Sequence, residues 1–485
     1  VRHPSLAFLV LSLVARSAAA QSADALKKAC DKSDFPACQK LAAMHRKGEG
    51  APRDLGKAFS LYKKACDASQ PDACLELAGM QRAGEGQSKD VAKALLLYEK
   101  ACGGGVGEAC AQLGSIYQAN KEVPQASANL GRSADYMQKA CEAGVLRSCG
   151  ALAGMHVDGA PMAKDLAKAA ALYRKACDGG DGASCSRLGA LQAAGTGLPK
   201  DLVQAAALFK RGCDAGGLEG CYRLALAHEA GEGVAKDAAA AVPLHTKACD
   251  GGEPNGCQGQ GRLMLAGTGT ARDVVKAAAL FKQACDGNVA AGCYEFGVAA
   301  ARGRGIAKDM AQSLLLLDKA CNLGDRIGCW ESGLFYEGGL GVQRAPLRMM
   351  AYLDRACELG ELQACTKVGK LYRLGDQGVG FDPDKARKTL GKACDGGVAS
   401  DCFDLAQFIA RGDTKITGDA GKASALYNKG CDLGSAQACY ELAELYLIGR
   451  GVAKDQPRAF VLYEKACKGG DSRGCQKLRM KPKTQ

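Results

Sequence analysis

The sequence predicts an all-α solenoid of about twelve antiparallel helix pairs, occupying residues 21–485. Three observations carry that reading. The 26 cysteines fall into pairs whose members stand eight positions apart. The first cysteines recur every 36 residues, with a spacing of 39 once and 37 twice. Between the pairs, apolar residues follow helical spacing twice per unit, and no period-two strand segment is visible. A chain of 485 residues would otherwise suggest about three globular domains, but a fixed period of this size means stacked repeats.

Residues 1–20 stand apart from the repeats. Val1, Arg2 and His3 make a short, partly basic start, followed by the apolar run from Leu6 to Ala15. Ser17-Ala18-Ala19-Ala20 then precedes Gln21 as a small-residue cleavage signal, the pattern of a secretory signal peptide. The apolar run is too short to span a bilayer stably, and no later stretch is longer, so no stable membrane insertion is expected. The mature chain is expected to be secreted or periplasmic.

The pairs in order are Cys30 and Cys38, Cys66 and Cys74, Cys102 and Cys110, Cys141 and Cys149, and Cys177 and Cys185. They continue as Cys213 and Cys221, Cys249 and Cys257, Cys285 and Cys293, Cys321 and Cys329, and Cys357 and Cys365. Cys394 and Cys402, Cys431 and Cys439, and Cys467 and Cys475 complete the set.

Each unit then reads as two helices. Cys38, Leu41, Ala42 and His45 share one helical face, and Gly48 stops the first helix. Asp54 stands where an N-cap belongs, and Ala58, Leu61, Tyr62, Ala65 and Cys66 form the stripe of the second helix. Asp90, Asp165, Asp201, Asp237, Asp273, Asp309 and Asp455 hold the capping place elsewhere, with Asp382 and Asp419 one step later. One slot of the first helix carries only Gly or Ala: Ala42, Ala78, Gly114, Ala153, Gly189, Ala225, Gly261, Gly297, Gly333, Gly369, Ala406 and Ala443. A bulky side chain there would push packed helices beyond their usual separation of about 8–10 Å.

The first cysteine of a pair ends a second helix and its mate opens the next first helix, with turns such as Asp178-Gly179-Gly180 between them. Residues placed symmetrically about such a turn come within disulfide reach. Closing so short a loop stabilises by about 2.6 kcal/mol in the chain-entropy model. That matters in a chain whose aromatics are only 5% of residues, with one tryptophan. The rival reading, a zinc framework, needs CxxC-like spacings or nearby histidines, and the chain has no CxxC. Neither a metal nor another cofactor is expected. A net charge of +12 with no like-charge run argues against nucleic acid as a partner.

The Leu-Gly/Ala step, the aromatic three places on, the GxG turn with Lys-Asp, and the closing Ala-x-x-(Leu/Tyr)-Tyr-x-Lys-Ala resemble Sel1-like repeats, relatives of tetratricopeptide repeats. Gly231-Glu232-Gly233-Val234-Ala235-Lys236-Asp237 and Gly449-Arg450-Gly451-Val452-Ala453-Lys454-Asp455 carry the turn in full. The added cysteine pair is similar to the secreted cysteine-rich Hcp type. Three units depart from the pattern: that after Cys102 has three extra residues and no GxG, and those after Cys357 and Cys394 have one extra residue each. The unit after Cys321 lacks the capping Asp. The resemblance implies a right-handed superhelix, a monomer, and a curved surface that binds a protein or peptide.

The Hcp resemblance also brings a label of penicillin binding or β-lactam hydrolysis, with β-lactams or peptidoglycan fragments as the alternative ligands. A serine β-lactamase needs Ser-x-x-Lys with Ser-Asp-Asn and Lys-Thr-Gly elements. Ser60 and Lys63 match the first, and the other two are missing from the sequence. His45, His156, His228 and His245 sit in places that other units give to tyrosine, scattered over separate units. The glycine turns lack the Gly-Lys-Ser/Thr of a phosphate loop.

Partner specificity is expected at the positions that vary between units: Gln39 and Lys40, Arg46 and Lys47, Tyr222 and Arg223, Tyr294 and Glu295, Trp330 and Glu331, and Tyr440 and Glu441. Tyr222, Tyr294, Trp330 and Tyr440 each follow a second cysteine. Two readings of these aromatics stand: padding of the disulfide against the neighbouring unit, or a ladder of anchors for an extended partner.

Overall fold

The computed structural model describes residues 23–119, 130–376, 378–412 and 418–480. The expected signal peptide, residues 1–20, and residues 120–129 of the irregular unit after Cys102 lie outside them. Among the described residues all regular structure is helical, in repeating pairs joined by turns, as the periodicity predicts.

The chain forms two compact units, Val1–Leu244 and His245–Gln485. In the first, a helix over 23–31 precedes the pairs Phe35–Lys47 with Leu55–Asp67, Pro71–Ala83 with Val91–Gly103, and Gly107–Ala119 with Leu130–Glu142. Leu146–Asp158 with Leu166–Asp178, Gly182–Ala194 with Leu202–Asp214, and the helix Leu218–Ala230 follow. The helix Ala238–Asp250 comes next in the order. The second unit pairs Pro254–Ala266 with Val274–Asp286, Ala290–Arg302 with Met310–Asn322, and Arg326–Gly338 with Pro346–Glu358. It ends with Leu362–Leu374 and Pro383–Asp395, Ala399–Arg411 and Ala420–Asp432, Ala436–Ile448 and Gln456–Lys468, and the short Ser472–Arg479.

The local chemistry of one unit explains the others. Asp34 caps the first helix by accepting from the Ala37 amide at 3.1 Å, and Gly48 ends it at φ 77°. Asp54 then does two things. Its carboxylate accepts from the Lys57 amide at 2.9 Å, starting the second helix, and its own amide donates to the His45 carbonyl at 2.9 Å, fastening the turn to the helix before it. Where the capping Asp is missing, Ala345 takes the place without a side-chain cap, and Pro346 stands at the first helical position instead.

The stripe of the second helix differs from the expected one in one respect. Ala58, Tyr62, Ala65 and Cys66 are buried, but Phe59 is buried with them and Leu61 is only half-buried. A second helix in a stack packs against helices on two sides, so its buried arc is rotated and widened beyond a single stripe.

The small-residue slot is a close approach. A Cβ on Gly189 would stand 2.7 Å from Cε1 of Phe209 and 3.1 Å from the Ala205 carbonyl oxygen. The second glycine of the GxG turn meets a similar limit: at Gly233, φ is +74° and a Cβ would lie 1.9 Å from the Leu202 carbonyl oxygen.

All thirteen cysteine pairs are bonded within the pair, with Cα–Cα distances from 4.3 to 4.9 Å. Successive repeats are also lashed by a lysine two residues before the first cysteine. Lys64, Lys175 and Lys319 donate their Nζ to the carbonyls of Cys30, Cys141 and Cys285 at 2.8, 3.1 and 2.7 Å. Those carbonyls end the second helix of the preceding repeat, where the helix dipole favours a cation.

Candidate functional site

The residue after each second cysteine lies on the first helix. Tyr222, Tyr294, Trp330 and Tyr440 are each half-buried there rather than fully solvated. Tyr294 packs on the Cys285 and Cys293 cluster, and Trp330 on the cluster holding Cys321, Cys329, Cys357 and Cys365. The Tyr440 ring stands 5.7 Å from that of Tyr463.

Phe403 occupies the same place, with its ring 5.9 Å from that of Tyr427. Phenylalanine at this place is not among the expected tyrosine and tryptophan positions. Its offset from Cys402, identical to that of Tyr440 from Cys439, was the available signal.

Charged residues on the first helices connect one repeat with the next. Arg46 pairs with Glu76 at 2.6 Å, Lys367 with Glu337 at 2.7 Å, and Arg373 with Asp404 at 3.5 Å. Near the end of the chain Arg473 pairs with Glu441 at 3.0 Å and places its guanidinium carbon 4.1 Å from the Tyr440 ring centre. Glu295 and Glu331 behave differently. Burial pushes both carboxyls up from their ordinary value, and among the described residues neither forms an ion pair.

A groove of about 710 Å³ crosses the N-terminal ends of the helices Ala399–Arg411, Ala436–Ile448 and Ser472–Arg479. Phe403, Gln407, Gln437, Glu441, Ser472 and Arg473 line it. Two smaller grooves, of about 430 and 450 Å³, open between successive second helices at equivalent places in the repeat. Lys27, Leu41, His45, Lys57, Ser60 and Leu61 line one; Arg174, Leu188, Gln192, Gln204, Ala207 and Leu208 line the other.

The serine and histidine candidates do not assemble a reaction centre. Ser60 is exposed and donates its hydroxyl to the Lys57 carbonyl at 2.9 Å, while Lys63 pairs with Asp67 at 2.9 Å. Ser60 therefore has no base oriented on it. His45 and His228 place Nδ1 3.0 and 3.3 Å from the carbonyl oxygens of Pro52 and Ala235. Gln81 and Gln192 do the same work from the same place, donating to the Ser88 and Pro199 carbonyls at 3.0 and 2.6 Å. This slot holds the turn, a role that packing alone did not suggest. His156 and His245 are buried in separate repeats. Among the described residues no His, Cys, Asp and Glu side chains gather as a metal cluster, and no helix is long and apolar enough to cross a membrane.

Twelve consecutive stretches match the Sel1 repeat: residues 36–69, 71–106, 107–145, 147–181, 182–217, 218–253, 259–289, 290–325, 327–361, 362–398, 399–435 and 436–471. Among solved structures, a protective antigen of uropathogenic Escherichia coli strains with an SLR fold is 22% identical, at a TM-score of 0.54, over 87% of this chain and 90% of that one. A Sel1 repeat protein from Oxalobacter formigenes is 24% identical over 46% of this chain and 94% of that one, at a TM-score of 0.43. Cysteine-rich protein B of Helicobacter pylori is 24% identical over 35% of this chain and 96% of its own, at a TM-score of 0.15. No curated protein matches the chain. With repeats matched from residue 36 to residue 471, the chain belongs to the Sel1 repeat family.

Proposed function

We propose that this protein is a secreted or periplasmic scaffold of the cysteine-rich type, which binds a segment of a partner protein along its first helices. Thirteen disulfides with no free cysteine among the described residues favour an oxidising compartment. Repeat arrays present extended surfaces that suit such partners, because each repeat offers the same positions again.

The observation that carries the reading is the groove across the three first-helix ends. Its lining joins an aromatic side chain, Phe403, to amide, acidic and basic groups. Aromatic area for anchoring beside polar groups for orientation is what a peptide site requires.

Selection of a random peptide library on the oxidised protein tests this. Enriched peptides should lose binding to a variant carrying Phe403→Ala and Gln437→Ala whose melting temperature is otherwise retained. Peptides that map instead to the second helices, or no enrichment at all, would overturn the assignment.

A further inference from the structure

The same face carries a more specific signal, and it rests on the scaffold reading above. In the unit His245–Gln485 an aromatic residue and an acid stand side by side after the second cysteine four times: Tyr294-Glu295, Trp330-Glu331, Phe403-Asp404 and Tyr440-Glu441. We propose that Tyr294-Glu295 and Trp330-Glu331 are consecutive receptors for arginine or lysine side chains of an extended basic segment in the partner protein.

The chain itself shows what such a pair holds. Arg473 lies 4.1 Å over the Tyr440 ring and donates to Glu441 at 3.0 Å, so one cation satisfies both members. Asp404 likewise takes Arg373 at 3.5 Å and Lys370 at 3.7 Å. An aromatic face and a carboxylate are complementary to one guanidinium, which offers its plane to the first and its N–H groups to the second.

Among the described residues the other two pairs have no cation that satisfies both members at once. Arg473 stands two positions before a second cysteine; the equivalent residue is Ile327 in the repeat after Tyr294 and Gln363 in the repeat after Trp330. Lys367 reaches to 5.9 Å from the Trp330 ring, but its ammonium is paired with Glu337 at 2.7 Å. Arg262 and Arg302 lower the Glu295 carboxyl, and Arg302 that of Glu331, against the effect of burial, yet among the described residues neither carboxylate forms an ion pair. Two half-buried carboxylates are thus left without the charge-assisted hydrogen bonds that their counterparts make, and a partner's cation would supply them.

Geometry sets the spacing of that partner. The Glu331 carboxylate of the next repeat acts on the Tyr294 hydroxyl, so the two receptors adjoin, and an extended chain advances about 3.3 Å per residue, or about 10 Å over three. Cations three residues apart therefore match neighbouring receptors. The net charge of +12 repels a basic peptide at long range, so capture has to come from these local contacts.

The test uses the full oxidised chain and fluorescein-labelled peptides with two arginines three residues apart in a serine background. Fluorescence anisotropy should show binding to the wild type, weakened about tenfold or more by E295Q combined with E331Q. The isosteric citrulline peptide, which lacks the charge, should be weakened as much on the wild-type protein. Equal binding of the citrulline and arginine peptides, or indifference to the double substitution, overturns the inference. Should the double variant melt early, the citrulline comparison on wild type decides alone. If uncharged library peptides map to the first helices while the arginine peptide fails to bind, this inference falls and the scaffold reading stands; if no peptide binds, both fall.

Discussion

Lys100 donates its Nζ to the main-chain carbonyl of Cys66 at 2.7 Å, reaching from one second helix to the end of the preceding one. The same carbonyl accepts the Ser69 amide at 2.9 Å. A cation that joins two repeats through a helix C-terminus adds stability where the stack has few aromatics to contribute. Lys100→Met keeps the apolar stem and removes the donor, and it should lower stability by about 1 kcal/mol in urea titration. Lys100→Arg should be tolerated, because Arg211 already reaches the Cys177 carbonyl from this place at 3.4 Å. An unchanged urea midpoint for the methionine variant would remove the clamp from the account.

Peptide mapping under non-reducing conditions should recover thirteen bonds, each within its own pair, and denaturation should expose no thiol. Replacing both Cys177 and Cys185 by alanine should cost about 2–4 kcal/mol and make the turn at Asp178 to Asp181 the first site of proteolysis. Bridges between distant repeats would contradict the local pairing.

Two glycines should respond to alanine in opposite directions. Gly189→Ala drives a methyl group to 2.7 Å from the Phe209 ring and should destabilise by about 1–3 kcal/mol. Gly391 lies inside the helix Pro383–Asp395, and the nearest atom to its added Cβ would be 3.9 Å away. Gly391→Ala should therefore stabilise, by about 0.5–1 kcal/mol. Thermal melts of the two variants, shifted the same way, would refute the close-approach reading of the small-residue slot.

The periodic features of the fold were legible in the sequence because each depends on neighbours a few residues away. Asp54, Gly48 and the alanine stripe of the second helix act inside one helix or one turn, so spacing alone identifies them. Contacts between repeats were harder to see. Lys64 reaches a carbonyl 34 residues earlier, and a lysine that recurs before a cysteine looks like ordinary surface charge until the stack is built. His45 and Gln81 have little in common as letters, yet both hold the same turn through a ring nitrogen or an amide. The half-burial of Tyr294 and Trp330 likewise comes from a neighbouring repeat.

Asp401 makes one repeat sensitive to acid. It is fully buried in a slot that other repeats give to small residues, and it is hydrogen-bonded to the Thr366 hydroxyl. Burial pushes its carboxyl above the ordinary value, against the Thr366 hydrogen bond, with Lys370 and Arg373 also lowering it and Asp404 raising it. Between the ordinary and the raised value the folded chain holds a proton that the unfolded chain has released. Stability should rise as pH falls through the raised value, a gain complete near the ordinary carboxyl pKa of about 3.9. Asp401→Asn should melt higher than the wild type at neutral pH, with the difference shrinking on acidification. A difference that stays constant with pH would show that the carboxyl does not titrate in this window.

Ser60→Ala should leave any turnover of a chromogenic β-lactam unchanged. The Ser60 hydroxyl is hydrogen-bonded to its own helix and Lys63 to Asp67, so Ser60 is not activated as a nucleophile. A stoichiometric acyl adduct on Ser60 would overturn that expectation.

Every disulfide closes over a sequence separation of 8, inside the turn between two helices. Insertion or deletion of a whole 36-residue period therefore adds or removes cysteines two at a time and leaves no thiol without its mate. Unequal recombination between copies of such a gene segment can lengthen or shorten the array without a round of mispaired intermediates, so the number of repeats is free to follow the size of whatever the array must span.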